Sequence, residues 1–132
     1  NLAYWRQEPW LAAGPSASAH IGGHRYKVVP RLDDYLRHDD EGFALVTDHE
    51  PPDDARALME VIMTGVRLRE GLDERAVLAE AERLGVSATL RAEIGRVSSK
   101  GWLRAEGGRL VLTDAGLPLG DHVAACLMSA VG

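Results

Sequence analysis

The sequence predicts an α+β fold, in which short strands and loops are followed by a winged-helix-like helical domain. Strand-like runs interrupted by glycine and proline occupy the first fifty residues, and apolar residues at helical spacing follow the pair Pro51-Pro52. A later segment alternates around Gly107-Gly108, as a β-hairpin does. We therefore divide the chain into residues 1–50 and residues 51–132, since 132 residues suffice for two small domains.

The first fifty residues are predicted to be irregular. Three runs are strand-like: residues 4–5, 10–13 and 25–29. The breaker Gly14-Pro15-Ser16 ends the second run. A short amphipathic helix follows, with three apolar residues on one face: Leu32, Tyr35 and Leu36. Residues 39–42 are then interpreted as an acidic turn, and residues 43–46 as a brief strand.

The second half is predicted to be regular, with three helices, a hairpin at residues 102–113 and a closing helix. The three helices cover residues 53–70, 73–84 and 87–100. Each ends at a glycine, because glycine tolerates the positive φ that terminates many helices: Gly71, Gly85 and Gly101. Asp73 is the expected N-cap of the second helix, and Thr113 is that of the closing helix. The closing helix carries four apolar residues at helical spacing: Leu117, Leu119, Val123 and Leu127.

Composition narrows the functional classes. With 15 basic and 20 acidic residues, the formal net charge is −5, which disfavours a broad surface for nucleic acid or anionic membranes. No apolar run approaches the ~20 residues that cross a bilayer, and no charged start followed by an apolar run indicates a signal peptide. The sequence therefore predicts a cytoplasmic protein.

Candidate metal ligands and nucleophiles are few. Cys126 is the single cysteine and falls among the apolar positions of the closing helix, so we interpret it as a small core residue. The five histidines give no ligand pair on a helix and are interpreted as polar loop residues: His20, His24, His38, His49 and His122. The acidic clusters at residues 39–41 and 48–50 are interpreted as solvated turns. No metal site and no catalytic residue is predicted within the chain.

Two features could still carry a function. Residues 14–23 have almost no side-chain bulk, which would let a flat ligand approach closely, although composition alone favours a tightly packed strand and turn. The helices and hairpin together have a shape that many proteins use to read DNA. The helix at residues 87–100 carries three cations: Arg91, Arg96 and Lys100. However, seven basic and six acidic residues between positions 73 and 112 leave a balance of only +1.

Several motifs, taken together, resemble a known family. The first half contains Asn1-x-x-Tyr4-Trp5, Trp10-Leu11-Ala12-Ala13-Gly14-Pro15-Ser16-Ala17 and Gly23-x-Arg25-Tyr26. The second half contains Gly65-x-Arg67-Leu68-x-x-Gly71, Gly101-Trp102-Leu103 and Arg109-Leu110-x-Leu112-Thr113-x-x-Gly116. Their order and spacing resemble the region after the radical S-adenosylmethionine (SAM) barrel in oxygen-independent coproporphyrinogen III oxidases and related heme chaperones. The Asn-x-x-Tyr-Trp motif is more similar to the heme-chaperone branch.

This resemblance implies a longer protein. In the family, an upstream partial (β/α) barrel holds a [4Fe–4S] cluster on three cysteines and cleaves SAM to a radical. A histidine directly before the position of Asn1 is implicated in heme binding. Residues 1–50 would then be the end of the barrel and a connecting segment, and residues 51–132 a domain that covers the active site or docks a partner. Because the chain starts without methionine on an apolar and aromatic run, we expect a fragment that is not catalytic alone.

The resemblance also implies candidate binding residues. The segment of small residues would face SAM and the substrate through five positions: Gly14, Ser16, Ala17, Ser18 and Ile21. Tyr4 and Trp5 could flank a porphyrin in the intact protein, or could be buried at the junction with the barrel. The implied partners are the upstream barrel, heme or porphyrin, and a heme-accepting protein.

Two rival hypotheses remain open at the level of sequence. The chain could be a winged-helix module that contacts nucleic acid through residues 87–100. It could also be a structural cap without ligand contacts. Whether the parent protein oxidises coproporphyrinogen or only carries heme is equally open.

Overall fold

The computed structural model describes residues 1–39, 42 and 45–132, and divides into two units, Asn1–Asp53 and Asp54–Gly132. Both units combine helices with a small antiparallel sheet, so the predicted α+β class is confirmed. The first unit contains helices α1 and α2 and strands β1 to β3: α1 Leu2–Trp5, β1 Ser18–Ile21, β2 His24–Val28, α2 Leu32–Asp39 and β3 Val46–Glu50. Its sheet has the order β1-β2-β3.

A two-residue turn sets the register of the first sheet. Gly22 and Gly23 have φ values of +58° and +78°, the left-handed conformation that a tight hairpin requires at both central positions. Ile21 therefore pairs with His24, and Ala19 pairs with Tyr26. The buried apolar residues of this unit are Ala19 in β1, Val28 at the end of β2 and Val29 directly after it.

Several predictions for the first unit were wrong. Residues 4–5 lie in helix α1, not in a strand, because backbone N–H groups close helical turns there, including Arg6 onto the Leu2 carbonyl at 2.9 Å. Of residues 10–13, only Trp10 pairs in the strand sense, in an isolated bridge with His20. Residues 48–50 belong to strand β3 and are not a turn. The predicted turn at residues 40–41 and the predicted strand at residues 43–44 lie outside the described residues.

The second unit has the predicted order of three helices, a hairpin and a closing helix. Its elements are α3 Asp54–Gly65, β4 Leu72–Asp73, α4 Glu74–Arg83, α5 Ser87–Ser99, β5 Leu103–Glu106, β6 Arg109–Leu112, a 3₁₀ turn Leu117–Leu119 and α6 Gly120–Met128. Asp73 caps α4 as predicted, since its Oδ1 accepts the Ala76 N–H at 2.9 Å. Strand β4 was not predicted, and it adds to the hairpin to give the order β4-β6-β5. The likeness to winged-helix proteins stays a prediction.

A single apolar core holds these elements together. Every helix from α3 to α6 and every strand from β4 to β6 contributes to it. The largest fully buried side chains in it are Ile62, Val66, Leu90, Val97, Leu110, Val123 and Leu127. Burying each of these side chains stabilises the unit by about 1.5–3 kcal/mol relative to exposure.

Helix α3 ends five residues earlier than predicted. It stops at Gly65, where a Cβ atom would lie 2.6 Å from the Leu72 side chain, so the helix end and strand β4 pack closely. The chain then turns through i to i+3 bonds, such as the Leu68 N–H onto the Gly65 carbonyl at 3.1 Å. Gly71 has the expected positive φ of +69°, but it ends this turn and not the helix.

Thr113 does not cap helix α6 as predicted. Its Oγ1 accepts the Gly116 N–H at 3.0 Å and donates to the Gly101 carbonyl at 2.6 Å. Thr113 therefore closes the turn before the 3₁₀ segment, and α6 begins only at Gly120.

The prediction that the histidines lie in loops was also wrong, because all five lie in helices or strands: His20, His24, His38, His49 and His122.

Two glycines of the second unit give a matched test of this packing. A Cβ at Gly116 would lie 1.9 Å from the Trp102 carbonyl oxygen, whereas a Cβ at Gly95, inside α5, would meet nothing within 4 Å. We expect Gly116→Ala to destabilise the chain by about 1–3 kcal/mol through overpacking. Gly95→Ala should stabilise it by about 0.5–1 kcal/mol through helix propensity. Urea unfolding measures both, and shifts of the same sign would contradict the packing described.

Candidate functional site

An open cavity of about 650 Å³ lies on the sheet of the first unit. Strands β1, β2 and β3 and the segment before β1 line it, and we name it the Trp10 cavity: Trp10, Ser18, Ala19, Arg25, Tyr26, Lys27, Asp48, His49 and Glu50. Its volume lies in the range of small-molecule sites. The lining combines two large aromatic side chains, Trp10 and Tyr26, with two cationic and two acidic side chains, so it suits a ligand that carries charges of both signs.

Trp10 is fixed by both its backbone and its ring. Its N–H donates to the His20 carbonyl at 2.9 Å, and its indole Nε1 donates to the Ser18 carbonyl at 3.0 Å. The ring packs edge-to-face between Tyr4 and His20, with centroid distances of 4.9 Å on each side. Such pairs contribute about 0.5–1.5 kcal/mol each beyond area burial. Trp10 therefore joins helix α1 to strand β1.

Arg25 approaches the same ring from strand β2. Its guanidinium carbon lies 6.0 Å from the Trp10 centroid, at the outer limit of a cation–π contact. Its Nη2 donates to Gln7 Oε1 at 2.8 Å. Gln7 has a φ of +56°, so a residue in the uncommon left-handed region supplies the acceptor that orients this cation.

The predicted small-residue segment forms a turn against the sheet. The Ala17 N–H donates to the Gly14 carbonyl at 3.3 Å, and Gly14 has a φ of +94°. The Val28 N–H donates to the Ala17 carbonyl at 2.8 Å, and the Ser16 N–H donates to the Val29 carbonyl at 3.3 Å. Ser16 has a φ of +61°, which is unfavourable for a residue with a side chain and is held in place by these bonds.

The structure places the seven predicted site residues differently. Ser18 lines the Trp10 cavity, and Tyr4 contacts the Trp10 ring. Gly14, Ser16 and Ala17 shape the turn just before the cavity, and they do not line it. Two further predicted residues, Ile21 at the end of β1 and Trp5 in α1, are each 39% exposed and also lie outside the lining. Their roles in ligand binding stay predictions.

Sequence reasoning missed the charged residues of the cavity. Lys27, Asp48 and Glu50 come together because β2 and β3 pair, with Lys27 opposite Thr47. The same pairing places His24 Nδ1 3.0 Å from His49 Nε2, with the two rings stacked. The charged residues of an exposed strand are the signal that could indicate this cavity. The interpretation of residues 48–50 as a turn concealed that signal.

The donor atoms of the chain do not fit an iron–sulfur cluster. Cys126 is the single cysteine of the sequence. It lies half-buried on α6 against the core, where its Sγ accepts from Arg96 Nη2 at 3.2 Å and lies 3.6 Å from His122 Nε2. Across residues 1–39, 42 and 45–132, no group of three His, Cys, Asp or Glu side chains could hold a metal ion.

Within the same residues, no helix has the length and apolarity to span a membrane.

Fold and site together define an α+β chain with a helical domain and an open, charged cavity on a separate small sheet. Residues 53–119 match the family model described as the HemN C-terminal domain, so the chain belongs to the HemN C-terminal domain family. The resemblance seen in the sequence is thereby confirmed.

The relatives extend the match to the first unit. Heme chaperone HemW from Mycobacterium tuberculosis, in the strains CDC 1551 / Oshkosh and ATCC 25618 / H37Rv, is 34% identical over 128 residues. These residues are 97% of this chain and 30% of each relative, so the chain spans about a third of the length of the chaperones it matches.

A solved structure shares the fold. It is coproporphyrinogen III oxidase (HemN) from Escherichia coli, described as a radical SAM enzyme. The TM-score is 0.67 at 15% identity, over 92% of this chain and 29% of the oxidase. Helices and strands of both units therefore follow the architecture of that protein.

The nucleic-acid alternative is not favoured. Two of the three cations of residues 87–100 are engaged within the unit: Arg96 donates to both carboxylate oxygens of Glu93, and the Lys100 ammonium lies 4.7 Å from the centre of the Trp102 ring. The hydrogen bond from Arg96 also lowers the pKa of Glu93, which keeps that carboxylate charged. Because Glu93 offsets the charge of Arg96 and residues 73–112 have a balance of only +1, this helix offers little attraction to phosphates.

Replacing Trp10 tests its role in the first unit. We expect Trp10→Ala to destabilise this unit by about 2 kcal/mol, because the change removes a hydrogen bond and two ring contacts. Hydrogen exchange of the β1 and β2 amides should accelerate accordingly, while amides of α5 keep their protection. Leu11→Ala is the matched control, since Leu11 is the exposed neighbour. Equal effects of the two substitutions would contradict the anchoring role of Trp10.

Proposed function

We propose that this chain acts in heme or porphyrin metabolism, as the C-terminal region of a radical SAM protein of the heme-chaperone branch. The observation that carries this proposal is the 34% identity to heme chaperones over 97% of the chain. That match includes the first unit, of which the family model reaches only Asp53, and so covers both the Trp10 cavity and the helical domain. The whole protein would work in the cytoplasm and deliver heme to an acceptor protein.

The lining of the Trp10 cavity suits SAM. This ligand combines an aromatic adenine, a sulfonium cation, an amino group and a carboxylate. Trp10 and Tyr26 offer aromatic surface for the adenine, Arg25 and Lys27 can pair with the carboxylate, and Asp48 and Glu50 can accept from the amino group and attract the sulfonium. Bound SAM would supply the radical precursor, and these residues would bind and orient it at a site completed by the rest of the protein.

A cluster that cleaves SAM needs ligands from outside this chain. Radical SAM chemistry uses a [4Fe–4S] cluster on three cysteines, and this sequence contains one cysteine. The fragment would therefore contribute binding surface and no catalytic residue. Residues 54–132 would cover the site or dock the acceptor protein, while residues 1–53 would continue the radical SAM domain.

Heme would contact the start of the chain. Tyr4 and Trp5 lie on α1 and are 51% and 39% exposed, so their rings have apolar surface available for a porphyrin. Tyr4 also packs against Trp10, so the two proposed binding regions would be neighbours within the first unit.

Added bulk in the small-residue turn tests the SAM site. In the full-length protein, we expect Ala17→Trp to weaken SAM binding about tenfold or more, because the new ring would displace the turn that leads into Ser18. Isothermal titration with SAM measures the effect.

The control for this test is Ala13→Trp. Ala13 is exposed and lies outside the cavity lining, so its substitution should leave SAM affinity unchanged. Circular dichroism verifies that both variants are folded, and Lys27→Met provides a second test with no added bulk. Wild-type SAM affinity in both folded Ala17→Trp and Lys27→Met would refute the SAM site.

Removing an aromatic ring tests the heme site. Trp5→Ala should weaken heme binding by about fivefold or more in the full-length protein, because the lost contact with the ring contributes about 1 kcal/mol to the binding free energy. The Soret band measures heme titration, and Leu11→Ala serves as control because Leu11 is an exposed apolar residue of the same unit. A Trp5→Ala protein that binds heme as tightly as the Leu11→Ala protein would exclude Trp5 from the site.

A further inference from the structure

A second cavity, of about 700 Å³, lies in the helical domain. The turn after α3, strands β5 and β6 and the segment before α6 line it: Val66, Arg67, Leu68, Arg69, Glu70, Arg104, Glu106, Arg109, Val111, Leu112, Asp114 and Leu117. We name it the arginine cavity, because four of its side chains are arginines. Two sequence motifs converge there, since Arg67 and Leu68 come from one and Arg109 and Leu112 from another.

The floor of the arginine cavity is apolar. Val66 and Leu112 belong to the buried core, and Leu68 and Val111 are half-buried. Leu117 is 60% exposed in the 3₁₀ turn, although it is a large aliphatic residue at the cavity wall. A ligand with an apolar body would cover this surface and gain about 25 cal/mol per Å² of apolar area removed from water.

Two of the four arginines are committed to carboxylates. Arg67 donates to Asp121 Oδ1 through Nε at 3.1 Å and through Nη2 at 2.7 Å. Arg104 donates to Glu106 Oε2 at 3.0 and 2.8 Å. These pairs hold the walls of the cavity and leave little charge for a ligand.

The other two arginines have no carboxylate partner among residues 1–39, 42 and 45–132. Arg109 donates through Nη1 to the Gly71 carbonyl at 3.3 Å, which uses one of its five donors. Arg69 is exposed and makes no recorded ion pair or hydrogen bond in the described part of the chain. Against them, the lining also includes Asp114 and Glu70. An anionic ligand that pairs with Arg69 and Arg109 must therefore keep its carboxylates away from these two acids.

We infer that the arginine cavity binds a small amphipathic dicarboxylate, that is, an apolar body with carboxylates placed to reach Arg69 and Arg109. The apolar floor and Leu117 recognise the body, and each free guanidinium fork can take one carboxylate in two parallel hydrogen bonds. This site is separate from the Trp10 cavity and does not rest on the proposed function.

A rigid probe tests this inference. Naphthalene-2,6-dicarboxylate combines a flat apolar body with two carboxylates, and its fluorescence reports titration into the full-length protein. We expect Arg69→Gln and Arg109→Gln each to weaken binding about tenfold, which corresponds to about 1.4 kcal/mol for a lost charged hydrogen-bond pair. Arg91→Gln, on the exposed face of α5 and outside the cavity, should leave the affinity unchanged.

Two further titrations separate the recognition of the apolar body from the recognition of the carboxylates. Succinate has two carboxylates without an aromatic body, and should bind at least tenfold more weakly than the naphthalene probe. Leu117→Ala should weaken binding of the naphthalene probe but not that of succinate. Arg69 is exposed, so Arg69→Gln keeps the test valid if Arg109→Gln disturbs the Gly71 contact.

Three results would overturn the inference: no binding of the naphthalene probe, equal loss in Arg91→Gln, or equal affinity for succinate. Because the probe contains neither SAM nor heme, a failure here leaves the proposed function standing. Conversely, Ala17→Trp should retain binding of the naphthalene probe even if it loses SAM.

Discussion

Strand β6 is the element on which the helical domain depends. It is the middle strand of its sheet, and its alternation sends Leu110 into the core, where it is fully buried, and Arg109 and Val111 to the side of the arginine cavity. A register shift of one residue would exchange the two sides and place a guanidinium in the core. Core packing and the chemistry of the cavity are thus fixed by the same strand.

Close contact with glycine keeps β6 in that register. A Cβ at Gly71 would lie 2.3 Å from the Leu110 carbonyl oxygen, and Gly71 also has a positive φ. No other residue would satisfy both conditions without displacing the strand. The same contact positions the Gly71 carbonyl to accept from Arg109, so the turn after α3 and one of the free arginines are coupled.

In the first unit, the Trp10 ring provides stabilising contacts that the apolar core provides in the second unit. Only three apolar residues are described as buried there: Ala19, Val28 and Val29. Trp10 compensates through hydrogen bonds to Ser18 and His20 of β1 and through ring contacts to Tyr4 and His20. The Trp10 cavity therefore lies on a sheet that few buried apolar residues support.

Local patterns in the sequence determined most of the second unit. Helical spacing, the Asp73 cap and the turn at Gly107-Gly108 all act within a few residues, so α4, α5 and the hairpin lie where they were predicted. The sequence motifs also predicted the family correctly, because the order of motifs along a chain can be seen without knowing any tertiary contact. Ser18 was predicted from its lack of bulk together with that resemblance, and Tyr4 from the resemblance alone; their roles in ligand binding stay predictions.

Tertiary structure decided what depends on distant partners. The end of α3 at Gly65 follows from packing against Leu72, and the helical form of residues 4–5 accompanies a ring contact with Trp10. Both cavities bring together charges from segments 20 to 50 residues apart, such as Lys27 with Asp48 and Arg69 with Arg109. Sequence determines which side chains are present, but only strand pairing and close packing determine which of them face one another.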